Sequence, residues 1–153
     1  RAFHDRLVSE FERYRRYESI ISLIIADFDN LKVINDTYGH PVGDKMLRKI
    51  GDILRETSRE SDVLARYGGD EFVILLPQTS IKNAFNMAER IRKKVKESEF
   101  DIQGHKVRCS LTMGIASVPH REINSPDDLF NSADRALYEA KRSGKNRVRV
   151  FDG

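Results

Sequence analysis

The sequence predicts an α/β fold, a central mixed β-sheet of about five strands surrounded by helices. Three observations carry that expectation. Short runs rich in β-branched residues alternate with longer stretches whose apolar residues recur at helical spacing. Two of the short runs are separated only by a few residues with a glycine pair, the mark of a β-hairpin set among helical crossovers. The 153 residues, 39% hydrophobic, suffice for one hydrophobic core.

Taken in order, Phe3, Leu7, Val8, Phe11 and Tyr14 recur with Arg and Glu between them and give an amphipathic first helix. Ile20 to Ala26 is short, β-branched and nearly all apolar, so it reads as a buried strand, and it ends at Asp27-Phe28-Asp29. A short helical stretch passes through Lys32 and Asn35. A second amphipathic helix, striped by Met46, Leu47, Ile50, Ile53 and Leu54, is expected to start near Gly43-Asp44. Asp62 to Tyr67 and Glu71 to Leu76 are two strands joined by a turn at Gly68-Gly69, with Asp70 at or beside it. Ala84, Phe85, Ala88, Ile91 and Val95 stripe a third helix, and Val107 to Val118 is a further strand. Leu129, Phe130, Ala133, Ala136, Leu137 and Ala140 give the last helix, which Gly144 ends before a short strand from Val148 to Phe151. No repeat, low-complexity tract or linker divides this order, so residues 1–153 read as one domain.

Composition narrows the function. With 27 basic and 24 acidic residues the net charge is +3, which lacks the strongly basic footprint of a dedicated nucleic-acid binder and leaves small anions open. The charged fraction, 33%, exceeds the ~25% of ordinary chains. One cysteine, Cys109, and four histidines offer no zinc-site spacing, and a reducing compartment, the cytoplasm, fits best. No apolar run approaches the ~20 residues of a membrane span and no signal-peptide pattern opens the chain, so no direct membrane contact is expected. The chain begins at Arg1 without an initiating methionine, and the expectation is a piece of something longer that could include a sensor or membrane part.

Two acidic groups stand where strands end, Asp27 with Asp29 and Asp70 with Glu71. They meet if their strands are neighbours, and Asp27 and Asp29, two apart, could present their carboxylates together if the strand persists. Carboxylates at close range repel unless a cation or proton intervenes. Hard oxygen ligands without His or Cys favour Mg2+ or Mn2+, and two such ions are the usual means of activating a hydroxyl and stabilising a phosphoryl displacement. The competing reading makes Asp27 a helix cap, and Asp70 and Glu71 turn residues on a solvated face. Gly68 and Gly69 suit a hairpin as well as a close nucleotide. Asp44 suits a helix N-cap, Arg59 and Asp62 an ordinary surface pair, and Lys32, Lys141 and Lys145 a solvated surface. Ser143-Gly144-Lys145 is not a phosphate loop, because Glu139 stands where its upstream glycine belongs.

The run Arg66-Tyr67-Gly68-Gly69-Asp70-Glu71-Phe72 resembles the GGDEF domain of the diguanylate cyclase family. It is joined by Asp27-Phe28-Asp29-Asn30-Leu31-Lys32, Asn35-Asp36-Thr37-Tyr38-Gly39-His40, Gly43-Asp44 and the tail Ala136 to Asn146, in the family's order from about Arg1 to Phe151. The resemblance implies an α+β palm-like fold with the motif on the hairpin, and condensation of two GTP into cyclic di-GMP with release of two pyrophosphates, each domain of a homodimer holding one GTP. It implies two Mg2+ or Mn2+ ions per half-site, held by Asp27, Asp70 and the main-chain carbonyl of Phe28. Glu71 is implied to deprotonate the 3′-hydroxyl or support the metals. Lys32 joins Asp70 and Glu71 in the catalytic set and, with Lys141 and Lys145, supplies charge to the triphosphate. Asn35 and Asp44 match positions that bond the guanine edge, and a carboxylate suits guanine because it accepts from N1–H and N2–H. Amides around Asn30 and Leu31 face phosphates at a helix start, and Gly68 and Gly69 border the substrate. Arg59-Glu60-Ser61-Asp62 matches the family's inhibitory RxxD site, with Arg90 as its second arginine, so cyclic di-GMP is expected as both product and feedback inhibitor. An upstream sensor or receiver domain is implied. Lys145 stands where Arg is common, turning a forked phosphate contact into a point charge. The alternative class is a catalytically silent module that binds GTP or cyclic di-GMP; degenerate members lose acids of the signature, and Asp27, Asp70 and Glu71 are all present here. Another nucleotide cyclase or polymerase palm with two metal-binding acids is disfavoured by Asp44.

Overall fold

The computed structural model describes residues 2–153, and Arg1 lies outside them. The chain runs α1 (Ala2–Tyr17), β1 (Ile21–Phe28), α2 (Leu31–Tyr38), α3 (His40–Thr57), β2 (Val63–Tyr67) and β3 (Glu71–Pro77). It continues through α4 (Ile81–Glu97), β4 (Phe100–Ile102), β5 (His105–Val107), β6 (Leu111–Val118), α5 (Pro126–Arg142) and β7 (Val148–Val150). Five strands form one sheet in the order β2-β3-β1-β6-β7. Only β6 and β7 pair in parallel, so the sheet is mixed as the sequence predicts.

β1 lies at the centre and all eight of its residues are buried. Strand periodicity divides its side chains between two cores. Ile24, Ala26 and Phe28, with Phe72, Ile74, Met113 and Ile115, pack against α3 and α4. Leu23 and Ile25, with Val73, Leu75 and Ala116, pack against α1 and α5. Burial on both faces is why this strand reads as a continuous apolar run rather than an alternating one. Serine caps begin both covering helices nearest the sheet in sequence: Ser80 accepts from the Asn83 N–H and Ser125 from the Asp128 N–H.

Several boundaries depart from the sequence reading. The second long helix begins at His40, before Gly43-Asp44, because Gly39 at φ 96° is the joint with α2 and donates its N–H to the Asn35 carbonyl (2.8 Å). Pro41 then sits in the first helical turn, where no N–H is required. The expected strand from Val107 to Val118 is interrupted: Val107 ends a separate two-stranded hairpin, β4–β5, turned by Gln103 and Gly104 at positive φ, and β6 starts only at Leu111. Phe85 is exposed on α4 and Met87 takes the core position, because the stripe through Ala84, Ala88 and Ile91 leaves Phe85 at its edge. Among the described residues no helix is long and apolar enough to cross a membrane.

Candidate active site

The acids converge where three strands end. Asp27, next to last in β1, lies directly opposite Glu71 of β3 and Thr112 of β6. Cross-strand partners share a face, so these side chains point toward the α5 side of the sheet. There Lys141, in the last turn of α5, forms an ion pair with Asp27 Oδ2. The Phe28 N–H donates to the Asp70 carbonyl (2.9 Å) and pins the hairpin turn to the end of β1. Tyr67 pairs with Glu71, leaving a three-residue turn of Gly68, Gly69 and Asp70, closed by an Arg66 guanidinium bond to the Gly69 carbonyl (2.6 Å). Gly68 has φ 75°, which requires a glycine, whereas Gly69 has no such constraint and simply leaves open space beside the turn.

Burial sets the electrostatics. Asp27 is 5% exposed, and its Oδ1 is buried with no hydrogen-bond partner. Desolvation raises its pKa; the Lys141 bond and charge oppose that rise, and the charges of Asp70 and Asp29 add to it. Glu71 is raised by desolvation first and then by the charges of Asp27 and Asp134. Burial alone would lower Lys141, but its hydrogen bond to Asp27 and the charges of Asp27, Glu71 and Asp70 hold it above its ordinary value. The site is an anion cluster with one ammonium inside it. Cys109, by contrast, is pushed up to about 12, chiefly by burial, and is no nucleophile.

These shifts have a stability consequence. A Glu71 carboxyl raised above its ordinary 4.5 keeps its proton to a higher pH in the folded than in the unfolded chain, so its ionisation opposes folding as pH rises through that window. In metal-free protein at neutral pH, Glu71→Gln is therefore expected to raise the midpoint of thermal unfolding by about 1–3 °C. Calorimetry across pH checks this, and the gain should vanish in acid, where Glu71 is protonated in both states.

The predicted guanine residues are brought together at the α2–α3 joint. Asn35 Oδ1 is buried without a partner and lies against Gly43, where any Cβ would collide with it. Asp44, the next residue, is exposed. Asn30 precedes α2 in a left-handed conformation (φ 59°) without a side-chain capping bond, and its Oδ1 accepts from Lys145 Nζ at 3.2 Å. Lys32 is not drawn in: its side chain is 90% exposed and pairs with Asp36 at 3.7 Å.

Asp29 behaves unlike Asp27. It is 4% exposed and its carboxylate accepts from Thr112 Oγ1 (2.6 Å), Ser110 Oγ (2.7 Å) and the Asn146 N–H (3.1 Å). The two acids therefore do not present a joint pair of free carboxylates. Ser110, Thr112 and Asp134 carry no sequence signal of a role, because only the fold brings them here, and Asn146, though it ends the tail that resembles the family, is brought to Asp29 only by the return of the chain after α5.

Arg59, Asp62 and Arg90 share a separate cleft of about 250 Å³ with Thr79, Asn83 and Asn86. The Arg59 guanidinium donates to Asp62 Oδ1 (3.2 Å), the Pro77 carbonyl (2.9 Å) and Thr79 Oγ1 (2.5 Å). The cleft lies at the Pro77 end of β3 and the acids at the Glu71 end, about 20 Å apart by strand rise.

Comparison with known proteins agrees with the fold. Residues 1–147 match the family model described as diguanylate cyclase, GGDEF domain. Diguanylate cyclase A of Treponema denticola is 41% identical over 128 residues, covering 84% of this chain and 34% of that protein. The active GGEEF domain of a Vibrio cholerae diguanylate cyclase superposes with TM-score 0.90 at 33% identity, covering 97% of this chain and 94% of that one. The GGDEF domain of DgcB from Caulobacter crescentus, solved in complex with c-di-GMP, superposes with TM-score 0.93 at 28% identity, covering 99% and 90%. The chain spans about a third or less of the length of the curated relatives it matches.

Proposed function

The chain belongs to the GGDEF domain family of diguanylate cyclases, and from that premise we propose that it is an active domain condensing two GTP into cyclic di-GMP and two pyrophosphates. One observation carries the proposal. Among the described residues, the two buried side-chain oxygens without a partner are Asp27 Oδ1 and Asn35 Oδ1, and they belong to residues that the family resemblance implies for metal and guanine binding. A buried acceptor left unpaired is costly unless a ligand completes it.

A divalent ion fits the first. Asp27 and the Phe28 carbonyl at the end of β1 and Asp70 in the adjoining hairpin turn are hard oxygen donors, few enough to leave places for phosphate oxygens, as Mg2+ and Mn2+ prefer. Bound there, two such ions would supply positive charge against the triphosphate and ease ionisation of the 3′-hydroxyl. Guanine fits the second: Asn35 and Asp44 accept from its ring and exocyclic N–H groups, a donor pair that adenine lacks. The amides of Asn30 and Leu31 at the start of α2, with Lys141 and Lys145, hold the phosphates, and the exposed Lys32 joins them only by leaving Asp36. In this reading Lys141 exchanges Asp27 for the triphosphate when nucleotide enters.

The chemistry is a displacement at phosphorus. The 3′-oxygen of one GTP bonds to the α-phosphorus of the other as the α–β phosphoanhydride bond breaks and pyrophosphate leaves, and the reciprocal attack by the second 3′-oxygen closes the ring and releases the second pyrophosphate. Glu71, its carboxyl raised by burial and by the charge of Asp27, accepts the 3′-hydroxyl proton or supports the metals. Each chain holds one GTP, so a homodimer must bring the two face to face. The longer protein is proposed to carry an upstream sensor or receiver domain and to work in the cytoplasm.

Incubation with GTP and Mg2+, followed by chromatography, tests this. Cyclic di-GMP and pyrophosphate are the expected products; bound GTP without product would identify a silent receptor module instead. Gly43→Ala adds a second check. Its Cβ displaces the Asn35 carboxamide, so GTP affinity should fall about tenfold while the fold survives, because only a side-chain tip must move.

The Arg59 cleft is proposed as the product-inhibition site. Arg59 and Arg90 offer forks for phosphates and for guanine's Hoogsteen edge. Arg59→Ala is expected to weaken cyclic di-GMP inhibition at least about tenfold with initial rates nearly unchanged. Unaltered inhibition and affinity would sink that assignment.

A further inference from the structure

We propose that Asp29 is a positioning residue for the triphosphate, the shared post to which both phosphate-facing segments are tied, and not a metal ligand. This rests on the reading above, in which Asn30, Leu31 and Lys145 face the phosphates. Those segments come from opposite ends of the chain, the turn between β1 and α2 and the turn between α5 and β7. Both hold unusual backbone. Asn30 (φ 59°), Lys145 (φ 61°) and Asn146 (φ 47°) are left-handed without being glycine, a conformation that persists only where surroundings over-determine it.

Asp29 supplies that determination. Its own N–H donates to the Ser110 carbonyl (3.0 Å), fixing the first turn to the residue before β6. Its carboxylate accepts the Asn146 N–H, fixing the second turn. Ser110 Oγ joins the Asn146 N–H on Oδ2, Thr112 Oγ1 donates to Oδ1, and Thr112 Oγ1 also accepts from the Asn146 N–H (3.0 Å). Arg92 supports the same turn from α4: it is paired with Glu89 and donates to Asn146 Oδ1 (3.1 Å). The contact between Lys145 and Asn30 closes the ring above the post.

The contrast with Asp27 decides the role. Asp27 retains a buried oxygen with no partner, which a cation can complete. Asp29 has no oxygen without a partner: Oδ2 holds the Asn146 N–H and Ser110 Oγ, so giving it to a cation would release a phosphate-facing turn, and Oδ1 is taken up by Thr112 Oγ1. Asparagine at this position keeps the shape but puts an NH2 group on one side: facing the Asn146 N–H it opposes two donors, and facing Thr112 Oγ1 it forces that hydroxyl to turn from donor to acceptor.

Calorimetric titration with magnesium tripolyphosphate, which probes the phosphate subsite without guanine, tests the proposal. Asp29→Asn should weaken its binding about tenfold or more, as loss of an orienting contact does. Ser110→Ala should weaken it less, and Ser110→Thr, which restores the hydroxyl, should recover it. The number of Mn2+ ions bound with a non-reacting GTP analogue, counted by electron paramagnetic resonance, should match wild type in Asp29→Asn. Unchanged tripolyphosphate affinity in folded Asp29→Asn, or loss of one Mn2+, would overturn the assignment. If Asp29→Asn does not fold, the Ser110 pair decides, and equal affinity in the two Ser110 variants counts against it. Failure of wild type itself to bind tripolyphosphate would instead refute the phosphate reading on which this rests.

Discussion

Asp27→Asn is expected to lower cyclic di-GMP synthesis by about a thousandfold or more, the scale of losing a principal charge-stabilising element of a transition state. The amide keeps the side chain's size at the centre of the sheet but removes the negative charge that would hold the metal. It does so at little cost to the fold. Burial already pushes the Asp27 carboxyl toward its neutral form, and Lys141, which is 35% exposed, can turn to solvent or to the remaining acids. The check is paired: product by chromatography, and unfolding midpoint by calorimetry. Lost activity with a preserved midpoint marks Asp27 as machinery, whereas parallel loss of both would make it a structural partner of Lys141.

Gly114→Ala carries the largest expected effect on stability. Gly114 lies in β6 beneath α5, and a Cβ there would overlap the backbone of Ala133 and Leu137. Backbone atoms cannot swing aside as a side-chain tip can. The helix must lift from the sheet, at a cost of about 3 kcal/mol or more, near or above the upper end of ordinary overpacking. Denaturant unfolding measures it. The same displacement would carry Lys141 away from Asp27, so residual folded protein should also bind GTP poorly. A variant that unfolds like wild type would show that α5 has slack at this contact.

Much of this arrangement is legible in the sequence, for identifiable reasons. β1 is readable because a strand buried on both faces must be apolar throughout, and the acids at its end break that rule abruptly. The hairpin is readable because a turn with φ 75° at Gly68 needs a glycine. What escapes depends on register or on the path of the chain. The start of α3 at His40 turns on the positive φ of Gly39, which nothing in the helical periodicity of Met46 to Leu54 reveals. The break between β5 and β6 escapes because Val107 and Leu111 are both apolar, and a hairpin folding back on β4 leaves no mark in that pattern. At the site, Asp27 and Asp29 look alike in sequence, two apart beside one strand. Their different fates follow from Ser110, Thr112 and Asn146, which only the β1–β6 register and the turn after α5 deliver. Lys32 reads as a phosphate ligand but lies paired with Asp36 on the surface of α2.

The initial rate of cyclic di-GMP formation at saturating GTP and Mg2+, measured across a wide range of protein concentration, tests the central claim most directly. Two half-sites, each holding one GTP, predict that product appears and that rate per unit protein rises with concentration before reaching a plateau as dimers saturate. GTP bound at every concentration with no cyclic di-GMP formed would contradict the account.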